Sequence, residues 1–276
     1  MISSTPFRPI YCISFIALLC FSVLTGCAPS PKRTSRAHAE KITVMTYNIR
    51  HGRGLDNKVD LERIATVIKE SGADIVALQE VDKGVERTER RDLPAELAAL
   101  TGMTAVFSNN YHFQGGEYGN AVLTKFPVKN WVNRHYRMLR VGEQRGILQL
   151  TLDVHGREVV FLNTHIDYRP DDSERWSNAG EIEAILQQHQ NKTIIMCGDF
   201  NDTPGSRVYQ RLGANFVDVW QRVGVGDGLT IPPVNPRKRI DYIWLSKDGV
   251  IEPLRVWVPQ TEASDHLPVV AELKLK

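Results

Sequence analysis

The stretch Thr193-Ile194-Ile195-Met196-Cys197-Gly198-Asp199-Phe200-Asn201 runs from five apolar or β-branched residues straight into a polar turn. Thr193–Cys197 reads as a short buried strand. Gly198 leaves room for close approach, and Pro204 and Gly205 then turn the chain. Residues two apart in an extended segment point the same way, so Asp199 and Asn201 share a face at the strand end. Alone, this is also what an ordinary Asp/Asn-rich turn after a strand looks like.

The same pattern recurs along the chain. Strand-like apolar runs end in Thr46-Tyr47-Asn48-Ile49, Leu78-Gln79-Glu80, Gly119-Asn120-Ala121 and Asn163-Thr164-His165, and polar motifs recur at Arg239-Ile240-Asp241-Tyr242 and Ser264-Asp265-His266. Glu80 is the first choice for a metal ligand, because Mg²⁺ takes a few carboxylates plus waters and substrate oxygens. Asp199 is suited to orienting or deprotonating a water, and Asn201 to donating to a phosphoryl oxygen. An imidazole at His266 held by a buried carboxylate has a fixed tautomer and a raised pKa. Each motif has a plainer reading: a solvated Glu, a capped loop before a strand, a structural His165. Read as a set they supply carboxylates, amides and two imidazoles, the groups that hold a hard cation and cleave a phosphate ester.

Around these motifs the periodicity predicts strands at Lys41–Asn48, Asp74–Leu78, Thr104–Ser108, Gly119–Thr124, Val128–Leu139, Gly146–Asp153, Glu158–Thr164, Ile240–Ser246, Ile251–Val258 and Pro268–Lys274. Gly156 marks a hairpin. Helices are predicted at Leu61–Glu70, capped by Asp60, at Pro94–Leu100, at Ser173–His189 and at Ser206–Leu212. Strands outnumber helices and several are adjacent, which argues for an α/β domain with mixed sheets covered by helices. Val81–Asp92, Ser108–Glu117, Tyr168–Asp172 and Gly224–Pro236 read as loops. Arg87, Arg90 and Arg91 form one basic cluster and Arg237-Lys238-Arg239 another; both suit substrate anions or plain solvated surface.

The N-terminus reads as a targeting segment. Arg8 is the only charge before an apolar run from Ile10 to Leu24. At about 15 residues that run has the length of a signal-peptide core and falls short of the roughly 20 needed to span a bilayer. It leads into Leu24-Thr25-Gly26-Cys27, which resembles the lipobox of bacterial lipoproteins. The resemblance implies a signal peptide over residues 1–26, cleavage before Cys27, lipidation of Cys27, and a flexible tether over 27–40. The expected location is the bacterial cell envelope, lipid-anchored and extracytoplasmic, with the membrane as a partner through Cys27. Cys12 and Cys20 lie in the segment to be removed, which leaves Cys197 without a disulfide partner. Residues 41–276 suffice for one domain with a substantial core. A formal net charge of +2 argues against a dedicated duplex-DNA binder, which carries a strong basic face.

In this order, the motifs from Thr46 to His266 resemble the endonuclease/exonuclease/phosphatase superfamily, a group that includes DNase I-like nucleases, apurinic endonucleases, neutral sphingomyelinases and inositol-polyphosphate phosphatases. The resemblance implies a four-layer sandwich of two packed mixed β-sheets flanked by helices, with the site at one end. It implies Mg²⁺ or Mn²⁺ on Glu80, with Asn48 and Asp265 near it. Asp199 would activate the water, Asn201 would hold the phosphoryl group, and His266, oriented by Asp241, would contact the phosphate together with His165. Asn120 would line the site. The His in Asn163-Thr164-His165 separates the chain from apurinic-type endonucleases, and Gly119-Asn120-Ala121-Val122 departs from the Gly-Asn-Lys-Gly run of the inositol phosphatases. The expected function is a membrane-anchored, metal-dependent phosphoesterase acting on a lipid head group or another small ester. An extracytoplasmic nuclease is the second reading, and a non-catalytic phosphate-ligand binding module the third. Replacing Cys27 by Ser should abolish acyl labelling of the expressed chain; labelling that persists would rule the lipobox out.

Overall fold

The structure, a computed structural model, describes Pro6, Pro9, residues 40–247 and residues 249–276. The expected signal peptide apart from Pro6 and Pro9, Cys27, and the expected tether up to residue 39 lie outside the described residues. Among the described residues twelve strands and five α-helices occur in the order β1 Glu40–Asn48, α1 Leu61–Ser71, β2 Ile75–Lys83, α2 Leu93–Thr101, β3 Thr104–Phe113, β4 Gly116–Thr124, β5 Val128–His135, β6 Gly146–Val154, β7 Arg157–His165, α3 Ser173–Gln188, β8 Thr193–Asp199, α4 Arg207–Asn215, β9 Phe216–Asp218, α5 Val219–Val223, β10 Asp241–Ser246, β11 Ile251–Trp257 and β12 Val269–Leu275.

Two six-stranded sheets result. One runs β11-β12-β1-β2-β4-β3 and the other β5-β6-β7-β8-β10-β9. Each has one parallel pair, β1/β2 and β7/β8, joined across a helix, while the other pairings are antiparallel. Helices form where the sequence pattern requires. Asp60 caps α1 by accepting from Arg63 N, and the buried face of α1 is Leu61, Ile64, Ala65 and Ile68. Ser206 caps α4 in the same way.

Three apolar cores make four layers. Ile42, Val44, Ile75 and Ala77 of the first sheet meet Leu148, Phe161, Ile195 and Ile243 of the second. Met45, Tyr47 and Leu78, on the other face of the first sheet, pack on α1 and α2. Ile147, Met196 and Trp244 of the second sheet pack on α3 and α4. This is the sandwich that the motifs imply.

The inner face turns polar at one end. Period-two alternation carries β1 from Ile42 and Val44 to Thr46 and Asn48, and β2 from Ile75 and Ala77 to Gln79. It carries β7 from Val159 and Phe161 to Asn163 and His165, and β8 from Ile195 and Cys197 to Asp199. β10 starts at that end with Asp241, which lies opposite Asp199 in the ladder. Amides stitch the two sheets together there. Asn163 Nδ2 donates to Leu78 O and Ala121 O, both at 2.8 Å, where the β2/β4 ladder shifts register. Gln79 Nε2 donates to Asn163 Oδ1 at 2.8 Å and to Thr46 Oγ1 at 3.1 Å. Gly198 permits the β7/β8 approach, because a Cβ there would lie 2.1 Å from Thr164 O.

Several elements differ from expectation. β3 and β4 continue into a hairpin over what reads as the loop 108–117. β2 runs on to Lys83 past its bulge. β5 stops at His135, where β6 begins at Gly146, instead of reaching Leu139. β9 and α5 were not legible. Among the described residues no helix is long and apolar enough to cross a membrane.

Replacing Asn163 by Ala removes the amide donor from two buried carbonyls and leaves Gln79 with Thr46 alone, and should cost about 3 kcal/mol or more. Urea unfolding of the single and double variants with Gln79→Leu should show a coupling of about 1 kcal/mol or more. Additive losses would show that the amide belt does not act as a unit.

Candidate active site

The site is the polar end of the inner face. A cavity of about 290 Å³ opens there, bordered by Glu80, Asp199, Asn201, His165, His266 and Arg145, with Arg87, Glu143 and four aromatic rings completing its walls. That volume lies at the small end of ligand sites.

Asp199 is the centre. It is buried, and burial together with the Asp241 charge holds its carboxyl above the ordinary carboxylate range. Asn48 Nδ2 donates to its Oδ2 at 3.0 Å, and the Asn201 backbone N–H donates to Oδ1 at 2.9 Å. Both imidazoles converge on that Oδ2: His165 Nε2 at 3.5 Å and His266 Nε2 at 3.7 Å.

The two imidazoles differ in charge. Burial opposes protonation of His266, but Asp241 at its Nδ1 (3.0 Å) and Asp199 outweigh it, raising the pKa to about 10. His266 is therefore an imidazolium with Nε2–H facing the cavity. Burial, then the Arg145 charge, then His266 hold His165 well below the usual histidine range. Arg145 Nη1 lies 2.7 Å from His165 Nδ1. A guanidinium only donates, so Nδ1 accepts and the single proton of neutral His165 sits on Nε2. Asn201 Nδ2 donates to Ile166 O at 3.2 Å and lies 3.0 Å from His165 Nε2, so two N–H donors stand side by side and both need an acceptor from the cavity.

Glu80 sits in the β2 bulge at φ 58°, and Asn201 stands at φ 47°. Left-handed backbone at two non-glycine residues of one cavity is strain held by the surrounding sheet. Glu80 Oε1 accepts from Asn48 Nδ2 at 2.9 Å, and burial raises its pKa. Glu80 and Asp199 thus converge on one amide N–H₂, a spot where a cation would neutralise both. A cation there would take an oxygen from each carboxylate; the Asn48 oxygen, which accepts from the Arg50 backbone N–H at 3.1 Å, would join them only by a half turn that gives up that bond. Asp265, partly exposed, lies 3.4 Å from Arg50 Nε at the same rim. Asp199, Asp241 and His266 also bring ligand atoms within 4.8 Å of one another. Asp241 and His266 are engaged with each other there, which fits a charge pair better than a ligand set.

The structure therefore brings Asn48, Glu80, His165, Asp199, Asn201, Asp241, Asp265 and His266 together. Asn120 differs: it is buried behind the cavity, its amide donating to Gly146 O at 3.2 Å and Asn163 O at 3.4 Å, so it holds the sheets and does not line the wall. Arg239 also departs from the expected anion-binding run. It is buried, paired with Asp218 at 2.7 Å, and lies over the Tyr242 ring. Arg145 carried no signal in the sequence, because a single Arg before a strand has many uses. The aromatic wall from Tyr111, Phe113 and Tyr118 was hidden with the hairpin.

The sequence pattern of the Endonuclease/Exonuclease/phosphatase family matches residues 45–266. The chain is 25% identical to the uncharacterized protein YbhP of Escherichia coli strain K12 over 84% of its own length and 96% of that protein. It is 27% identical to a 5'-tyrosyl-DNA phosphodiesterase of Caenorhabditis elegans over 67% of its own length and 49% of the relative. A mannosyl-6-phosphatase structure from Bacteroides thetaiotaomicron superposes with a TM-score of 0.72 at 18% identity, covering 84% of this chain and 99% of that one. The chain belongs to the endonuclease/exonuclease/phosphatase family and is a metal-dependent phosphoesterase.

Proposed function

We propose that this chain is a membrane-anchored phosphoesterase that hydrolyses a small phosphate ester, of the size of a lipid head group, by in-line attack of water. The observation that carries this reading is the cavity: about 290 Å³ and walled by aromatic rings of the β3–β4 hairpin, while Arg239 of the second basic cluster is buried against Asp218 and not presented to an anion. A polynucleotide would need a row of phosphate contacts.

In this reading Asp199 accepts a hydrogen bond from the attacking water and takes its proton. His266 donates from Nε2 to a phosphoryl oxygen, and Asp241 keeps it cationic. His165 Nε2–H and the Asn201 amide donate to the same phosphoryl group, and Arg145 fixes the His165 tautomer. Glu80, with Asn48 and Asp265, is the set that would hold Mg²⁺ or Mn²⁺. Held there, the cation would supply charge neutralisation at the phosphate. Preorganised donors and positioning account for the rest of the rate. The Cys27 anchor would hold the cavity near lipid, which is why a head-group ester ranks first among substrates.

Nuclease activity is the second reading. The stacked Tyr111 and Phe113 rings (6.2 Å) on the cavity wall suit a base, and the nematode relative is named for a DNA substrate.

With Mg²⁺ or Mn²⁺ the chain should turn over at least one member of a panel of phospholipids, sphingomyelin and inositol phosphates, and EDTA should abolish it. Asp199→Ala should lower kcat by about 10³-fold and His266→Gln by about 10²-fold. Turnover of DNA or RNA alone, with steep salt dependence, would replace the small-ester reading by the nuclease one.

A further inference from the structure

One cation on the cavity wall has no part in the chemistry above. Arg87 follows β2, in the turn Glu86–Thr88, and lines the catalytic cavity. Its Nε and Nη2 each donate to the Asp82 carboxylate at 2.8 Å. Asp82 is fully buried and also accepts from Thr88 Oγ1 at 3.3 Å. The guanidinium lies 4.9 Å from the Phe113 ring centre and 5.4 Å from that of Tyr118. Its own backbone N–H donates to Gln114 Oε1 at 3.0 Å, tying the turn to the hairpin tip.

Holding an arginine with a buried carboxylate is costly. One carboxylate accepts from only one edge of a guanidinium, so the Asp82 pair fixes the Nε–Nη2 edge of Arg87 and leaves its other edge free for a second anion. Nη1 makes no hydrogen bond among the described residues, and the side chain keeps 29% of its surface exposed. A planar fork with two bonds to a carboxylate and rings nearby is preorganised, so little entropy is lost when it grips an anion. Arg145 enters the cavity from the second sheet beside His165, and Arg87 enters from the first. A small ligand between them meets two fixed guanidinium groups.

We propose that Arg87 is a second anion subsite, and that the substrate therefore carries a further anionic group, phosphate or carboxylate, besides the phosphoryl group that reacts. The proposal rests on the small-ester reading for the position of that reacting group. It makes Arg87 a specificity-determining residue. Tyr118 and Phe113 act through it as positioning residues.

The test is calorimetric binding of methylphosphonate and 1,3-propylenediphosphonate to the full chain in detergent, in a fixed excess of Mg²⁺. Neither probe has an ester to hydrolyse. The diphosphonate should bind about tenfold tighter or better, the effect of one added charge-assisted contact. Arg87→Gln should reduce that advantage to about threefold or less. Phe113→Leu, which leaves the Asp82 pair in place, should reduce it partly, and Arg90→Gln should preserve it. If Arg87→Gln does not fold, Arg87→Lys and Phe113→Leu carry the comparison. Equal affinities in the unaltered chain, or an advantage that survives the change at Arg87, would overturn the subsite. Turnover of the ester panel by the unaltered chain separately tests the reaction, so a missing activity with an intact tenfold preference would count against the small-ester reading and not against the subsite.

Discussion

The structure depends on one constraint, the period-two alternation of the two inner sheet faces. An inward row of Ile, Val, Leu and Phe makes the sheets stack, because buried apolar area is the main stabilising term. The same row cannot change face without a bulge. When the sequence turns polar at Thr46, Gln79, Asn163 and Asp199, those side chains are still aimed between the sheets. They must then bond to one another, since an unpaired buried amide or carboxylate is costly. The Asn163 amide, reaching the carbonyls of Leu78 and Ala121, is how the two sheets remain joined where the apolar core ends.

The catalytic end follows from that. Beyond the amide belt, the last inward positions, His165 and Asp199, face a cavity, with Asn48 and Asp241 bonded directly behind its wall. Their environments separate their charges. His266, held between Asp241 and Asp199, stays cationic, while His165, buried and beside the Arg145 guanidinium, stays neutral. Two imidazoles near one carboxylate oxygen thus have different protonation states, set by what lies behind each ring. The bulge in β2 adds the third component, because it turns Glu80 out of the alternation toward Asn48 and Asp199.

Much of this was legible in the sequence because it is local. Gly198-Asp199-Phe200-Asn201 follows an unmistakable buried strand, and Asp60 before a helical apolar stripe announces α1. The four-layer arrangement came from the order of the motifs and their family resemblance. What escaped was set by partners distant in the chain. Arg239 looked like surface charge in a basic run, yet Asp218 on the three-residue strand β9 buries it. Asn120 looked like a ligand contact, yet its neighbours are the backbone of β6 and β7. The β3–β4 hairpin looked like a loop because Asn109, Asn110, Gly115 and Gly116 are turn formers, although Tyr111 and Phe113 already alternate. Arg87 and Arg145 gain meaning only from the cavity they share.

The most direct test of this account is the position of a metal and a phosphate in crystals of residues 41–276 grown with Mn²⁺ and inorganic phosphate. Anomalous scattering should place manganese on Glu80, with phosphate oxygens against Asn201, His165 Nε2 and His266 Nε2, and with the Asp241–His266 hydrogen bond intact. Manganese bound instead by Asp199, Asp241 and His266, with that hydrogen bond broken, would contradict it.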